Sequence, residues 1–462
     1  MIGRVIPRPV SIVWITAAIA TLAGLIGFGL FIAASRSVLP GDPGLFRARI
    51  AVAFATGKLV ENYDQEGSTT IGSHQWNDCL ILVMASDQRG DLARLALSPI
   101  LMDLGPEPSL TTNPCAVLGA LNRGATPNGN LYYYDRYPNG AVILLRALLP
   151  YASITRIRTI NRATQSTLLL LGLALALAGL ARRRDATAFT VIAISSLALM
   201  RYFGLESFSQ SLGHGPADAV IAAYLVTVAA MAFAPAGLTL TVLAAAVFGV
   251  LTMIFELFTG GIPIGLAMVI GLAPLVASAR VRPVVASSAG GVAFLSAGAI
   301  FYFAKMLATM MTGTGGLAGD ATSQVLRLTI FDPYGELSGG RGPAFAIHET
   351  IRSIDALTGG MWLLSAGTLA IAALAGGYGL WRLRQSDVSP ALREKSLLLA
   401  LSAAIPGLWC LFFLNLMIEH AWFTDRVFVW PIAVGFGLFA LALVEERGSG
   451  HIATTTIKSK PA

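Results

Sequence analysis

Apolar runs long enough to cross a bilayer recur along almost the whole chain, and they constrain the fold more than any other feature. They fall at about 9–35, 164–181, 186–203, 217–235, 237–256, 262–279, 284–309, 359–381, 396–416 and 427–444. A helix needs roughly 20 apolar residues to span the hydrocarbon layer. Only 12% of the residues are charged and 55% are hydrophobic, against about 25% charged in a soluble domain. The expected class is an all-α polytopic membrane protein of about ten transmembrane helices. A β-barrel is excluded, since its strands would appear as short alternating segments. The 48 glycines suit membrane helices, which approach closely through small residues.

The basic residues orient the runs. Arg4 and Arg8 precede the first run, which is too long for a secretory signal and is read as a retained helix. Alternation then places residues 182–184, Arg280, Arg282, the 382–395 segment and the Lys458/Lys460 tail on the side of the N-terminus. All are basic-rich, as the positive-inside rule requires of cytoplasmic connections. Both termini are therefore expected in the cytoplasm of a multi-pass cell (inner) membrane protein. The expected divisions are a first helix (1–35), an exterior loop domain (36–163), helices two to seven (164–309), an exterior loop or lid (310–358), helices eight to ten (359–444) and a cytoplasmic tail (445–462). The net charge of +7 reflects these helix ends and gives no sign of nucleic-acid binding.

Within 36–163, residues 45–59 carry apolar side chains at helical spacing interrupted by Arg47, Arg49 and Lys58, the pattern of an interfacial amphipathic helix. Segments 79–86 and 92–104 are half-apolar and read as short helices; 141–150 is apolar but too short to span. Residues 128–149 are the most unusual stretch: Tyr132, Tyr133 and Tyr134, then Asp135, Arg136, Tyr137 and a Pro-Asn-Gly turn running into that apolar segment. Cys79 and Cys115 share this domain; they are either a disulfide, as an oxidising compartment would favour, or buried thiols.

Several polar groups are candidates for chemistry on the same side. Trp76, Tyr134 and Tyr137 offer stacking surface for sugar rings, and equally for a protein contact or a membrane belt. Arg136, Arg146, Arg156, Arg158 and Arg162 lie towards the membrane end of the domain, where guanidinium groups meet lipid phosphates. The loop LESFSQSLGHGPAD brings Glu206, His214 and Asp218 close in sequence, with Asp218 read chiefly as a helix cap. The turn NLMIEHAWFTDRVFVW holds Glu419, His420, Asp425 and Arg426 between two spans. Glu256 and Arg201 lie near helix ends and could pair inside the bundle. In the loop 312–358, His348, Arg352 and Asp355 share one helical stripe. No histidine pair has the close spacing of a zinc motif.

A retained first helix, a long exterior first loop with interfacial helices, an acidic residue soon after that helix and roughly ten spans together resemble the GT-C superfamily of integral-membrane glycosyltransferases. The resemblance implies a polyprenyl-phosphate-linked sugar as donor and a glycan, lipid or protein acceptor of the cell envelope. It implies an exterior carboxylate as general base, Asp42 by position or Asp78 instead, with a divalent metal as an option and no other cofactor. Arg136, Arg201, His420 and Arg426 stand as candidate phosphate partners; His214 and His348 matter instead in the competing polymerase or ligase reading. The family's paired-acid signature does not follow the first helix here. A polymerase or ligase of lipid-linked glycans, or a lipid or glycan transporter, are the competing readings; few charges lie mid-span and no internal repeat supports the last.

Overall fold

The computed structural model describes residues 9–39, 41–61, 75–86, 90–102, 113–125, 131–135, 137–182, 184–201, 211–256, 260–312, 362–386, 388–413 and 425–456. The described residues are almost entirely helical. Among them, eight helices are long and apolar enough to cross a membrane: α1 (Pro9–Ser37), α7 (Ile154–Ala181), α9 (Gly215–Phe233), α10 (Leu238–Phe255), α12 (Pro283–Met311), α13 (Trp362–Gln385), the consecutive α14 (Pro390–Ser402) and α15 (Ala404–Phe412), and α16 (Val429–Thr456). Two shorter apolar helices, α8 (Ala186–Leu199) and α11 (Gly261–Val276), lie between them. Sixteen residues rise only about 24 Å, less than the ~30 Å hydrocarbon layer. Fourteen of the sixteen residues of α11 are buried, so protein rather than lipid surrounds it.

The contacts at the two ends of the bundle are consistent with helices running alternately up and down. At one end Ala236 bridges Ala277, the Val284 N–H donates to Glu394, and Arg382 pairs with Glu446. At the other, side chains from the start of α9, the end of α10 and the approach to α16 meet. Close approach relies on glycine. A Cβ at Gly249 of α10 would overlap the Phe294 carbonyl of α12, and one at Gly435 of α16 would overlap the Ala372 carbonyl of α13.

At the second end, the described residues between Leu39 and Ala152 share a hydrophobic core of their own and are termed the domain. Its elements are α2 (Pro43–Ala55), α3 (Gln75–Ser86), α4 (Leu92–Leu97), β1 (Ile100–Met102), α5 (Pro114–Asn122), β2 (Leu131–Tyr133) and α6 (Gly140–Leu148). Helices α2 and α3 overlap the segments 45–59 and 79–86, where the sequence predicts helices, and the apolar segment 141–150 holds the short helix α6. The 92–104 segment does not stay helical: after α4 it turns into β1, which pairs antiparallel with β2 (Ile100 opposite Tyr133). Cys79 and Cys115 are joined by a disulfide tying α3 to α5, with Cα atoms 5.0 Å apart.

The tyrosine-rich arm joins this domain to the bundle. Tyr134 packs against the domain core and Tyr137 against the bundle core, and their rings lie 5.5 Å apart. The turn closes on Asn139, which is left-handed (φ 58°) and donates its side-chain amide to the Tyr137 carbonyl at 2.7 Å. Asparagine tolerates that region because its short side chain bonds locally. Beside it, a Cβ at Gly140 would meet Ile254 and Phe255 at the end of α10.

Candidate functional site

Three buried cations tie the domain and the bundle ends together. Arg158, one turn into α7, donates to Asp78 Oδ2 through Nη2 (2.7 Å) and Nε (3.1 Å), and through Nη1 to the Lys58 carbonyl (2.9 Å). Asp78 Oδ1 accepts from Ser211 Oγ (3.0 Å) and the Leu212 N–H (2.7 Å). All four lone-pair positions of this carboxylate are occupied. In this arrangement Asp78 anchors α3 to α7 and to the segment before α9, and offers no open oxygen to an acceptor hydroxyl. The buried ion pair with Arg158 explains its placement on an otherwise apolar helix.

Ser211 also accepts the N–H groups of Gly213 and His214 (both 3.3 Å), and Asn161 of α7 donates to its carbonyl (3.1 Å). The segment 211–214 is thereby held against α3 and α7. Gly213 is required there, because a Cβ would overlap the Asn77 side chain. His214, 7% exposed, occupies the N-cap position of α9 without capping through its side chain.

One turn on, Asp218 departs from its capping assignment. Its backbone N–H bonds to the His214 carbonyl while its carboxylate points into the bundle. There Oδ1 accepts from Arg426 Nη1 at 2.6 Å. The other terminal nitrogen of Arg426 pairs with Glu256 at the end of α10. Side-chain exposure is 0–2% for all three groups. Gln165 of α7 donates to the Gly215 carbonyl (3.1 Å), and its amide lies within reach of Asp218. Two polar groupings thus lie side by side: Arg158, Asp78, Ser211 and Asn161 in one, and Gln165, Asp218, Arg426 and Glu256 in the other. Glu256 does pair inside the bundle, with Arg426; Arg201 is exposed just past the end of α8.

Lys305 of α12 is the third buried cation, fully enclosed, donating to the backbone carbonyl of Asp135 in the arm. The described part of the arm therefore meets the bundle at α1, at α10 through Gly140 and at α12 through Lys305.

The other predicted residues separate. Asp42 is exposed and caps α2, its Oδ1 accepting from the Gly44 (2.8 Å) and Leu45 (3.2 Å) N–H groups. It joins neither buried grouping. Trp76 is half-buried on α3, with its Nε1 enclosed. Arg146 is buried and donates to the Met84 carbonyl (2.9 Å), a structural role within the domain. Arg136, His348, Arg352, Asp355 and His420 lie outside the described residues. Among the described residues no three His, Cys, Asp or Glu side chains converge as metal ligands. Asp218 and Glu256 meet on a guanidinium, which does not fit the divalent metal that the resemblance allows. Sequence reasoning missed Asp218 as a member of the site, since a carboxylate in a first helical turn already has a local explanation. Comparison with family models, curated proteins and solved structures finds no match for this chain.

Proposed function

We propose that the protein is a ten-pass enzyme of the cell membrane that transfers a sugar from a polyprenyl-phosphate carrier to an envelope acceptor on its exterior face. Both termini are cytoplasmic, and the disulfide-closed domain lies outside, where thiols oxidise. The two short helices complete the count of ten. The observation that carries the reading is the gathering of buried Arg158, Arg426, Asp78, Asp218 and His214 at the bundle end beneath that domain. Ionisable groups buried at the end of a membrane bundle are costly, and such groups are functional-site candidates.

In the transfer, a carboxylate takes the acceptor hydroxyl proton. The acceptor oxygen then bonds to the sugar's anomeric carbon, and the bond from that carbon to the phosphate oxygen breaks with its electron pair. A guanidinium offsets the charge on the departing phosphate. Asp42 suits the base: one oxygen is held by the α2 N-terminus and the group is exposed. The saturation of Asp78 favours a second form of the reading, a polymerase or ligase of lipid-linked glycans that relies on His214 and Arg426 rather than on one carboxylate.

The test is full-length protein in nanodiscs with a panel of radiolabelled polyprenyl-phosphate sugars and an envelope glycan extract, scored by release of polyprenyl phosphate. Asp42→Asn keeps the cap, since asparagine serves that position as well as aspartate. It should lower turnover by about 10²–10⁴-fold if Asp42 is the base. Full activity of Asp42→Asn with loss in His214→Ala would transfer the assignment to the polymerase form. Labelled lipid crossing proteoliposomes without being consumed would sink both in favour of a transporter.

A further inference from the structure

Helix lengths place a group of exposed arginines at a defined depth. Between Arg162 and Arg182, α7 carries no charged residue for 19 positions, which is about 28 Å of helix and matches the hydrocarbon layer. Arg162 therefore stands at its edge, and Arg156, six residues earlier, about 9 Å farther out among the headgroups. The bond from Arg158 to the Lys58 carbonyl fixes the stretch just after α2 at that same height. Arg36 lies in the last turn of α1, seven residues before α2 begins at Pro43.

The outward side of α2 is apolar and basic together. Arg47, Ala48, Val52 and Ala55 are exposed and Arg49 is half-buried, its Nε enclosed without an acceptor. Arg36, Arg47, Arg49, Arg156 and Arg162 form no ion pair with a described residue. On these three adjoining helix segments Asp42 is the one described acid, and its carboxylate is turned onto the α2 N-terminus. Of the other described acids of the domain, Glu61 pairs with Arg123, Asp78 pairs with Arg158, Asp91 caps α4, and Asp135 is buried in the arm.

We propose that the end of α1, the outward side of α2 and the first turns of α7 form a binding surface for anionic lipid headgroups. The phosphates would sit against Arg47, Arg49, Arg156 and Arg162 while Val52 and Ala55 enter the acyl boundary. An apolar face edged by guanidinium groups, held at headgroup height, matches a lipid that presents a phosphodiester above acyl chains. The assignment does not depend on the transfer reading or on which leaflet this is. In the outer leaflet the positive-inside rule supplies no other reason for the arginines.

The experiment uses full-length Cys410→Ser protein carrying Ala163→Cys labelled with bimane, in nanodiscs that mix phosphatidylglycerol and phosphatidylcholine, one of them brominated at a time. Brominated phosphatidylglycerol should quench at least about fivefold beyond its mole fraction, the effect of one basic residue at a charged surface. In R47Q/R49Q/R156Q/R162Q the preference should fall to about one. The same label at Leu177→Cys, far along α7, should not respond to the four substitutions. Equal quenching by the two lipids in the starting protein, or a preference that survives the four substitutions, overturns the proposal. Should the quadruple variant misfold, salt decides: about 0.5 M NaCl must abolish the preference in the starting protein, and a salt-insensitive preference overturns the proposal.

Discussion

Removing the Arg426 guanidinium tests the buried cluster most directly. Arg426→Gln would leave the Asp218 carboxylate at 0% side-chain exposure and Glu256 at 2% without the charge that both contact. Breaking a buried ion pair from one side costs about 3–5 kcal/mol, mostly the cost of the charge left behind. That is a rise of about 10²–10³ or more in the unfolded population. Cys410 supplies the assay. It is the free cysteine among the described residues and is 3% exposed. With the Cys79–Cys115 disulfide intact, a fluorogenic maleimide reads opening of the bundle around Cys410. Labelling in Arg426→Gln should accelerate by that factor. Adding Asp218→Asn and Glu256→Gln together should recover most of the loss, since replacing all the partners by neutral groups of similar shape is far milder than removing one. Arg426→Lys should rescue poorly, because an ammonium cannot present two parallel donors to two carboxylates. Wild-type labelling in Arg426→Gln, or no recovery in the triple variant, would mean that water rather than protein solvates the carboxylates and that the cluster does not hold the bundle end together.

Other outcomes follow from the same contacts. Replacing Cys79 and Cys115 together by serine should destabilise the domain by about 4 kcal/mol on the chain-entropy view for a 36-residue separation, read as earlier proteolysis within residues 41–125; unchanged resistance would discount the cross-link. Gly249→Ala should cost about 1–3 kcal/mol by forcing α10 away from the Phe294 carbonyl, whereas Ala substitution at Gly237, which has nothing within 4 Å, should be within about 0.5 kcal/mol; the thermal midpoints of the two variants check the contrast. Asp78→Asn should disturb the junction of α3, α7 and the 211–214 segment, costing about 3–5 kcal/mol by leaving Arg158 buried without its charge partner; hydrogen exchange confined to those segments is the expected signature, and protection equal to wild type would refute it.

The bundle was legible because burial in lipid leaves a one-dimensional trace. An apolar run of bilayer length needs no knowledge of its neighbours to be recognised, and caps such as Asp42 before α2 or Asp185 before α8 act within three residues. The helix α7 shows where that trace stops. Its apolar part begins near 164, yet the helix starts at Ile154, because Arg158 and Gln165 are accommodated by protein partners instead of lipid. Charges inside that protein-packed extension look, in sequence, like a loop leading to a span.

The polar site was illegible for the complementary reason. Asp78 and Arg158 are 80 residues apart, and Asp218 and Arg426 are 208 apart. Each has a plausible local role in isolation: a first-turn carboxylate, a juxtamembrane arginine, an interfacial anchor. Pairing at such separations is decided by which helix ends the bundle brings together, and that depends on close glycine contacts such as Gly249 against Phe294. The sequence signal that could have found the cluster is cost. Asp218, Glu256, Lys305 and Arg426 all sit at or just inside the ends of apolar runs, where an unpaired charge is unfavourable. Two acids and two bases at one end of one bundle must therefore find partners among themselves or in the segments that cover that end. Arg426 does so with Asp218 and Glu256, and Lys305 does so with Asp135 of the tyrosine arm. The arm is thus held in place by a charge that the bundle could not otherwise bury, which is why the most unusual stretch of the sequence lies where the domain meets the membrane helices.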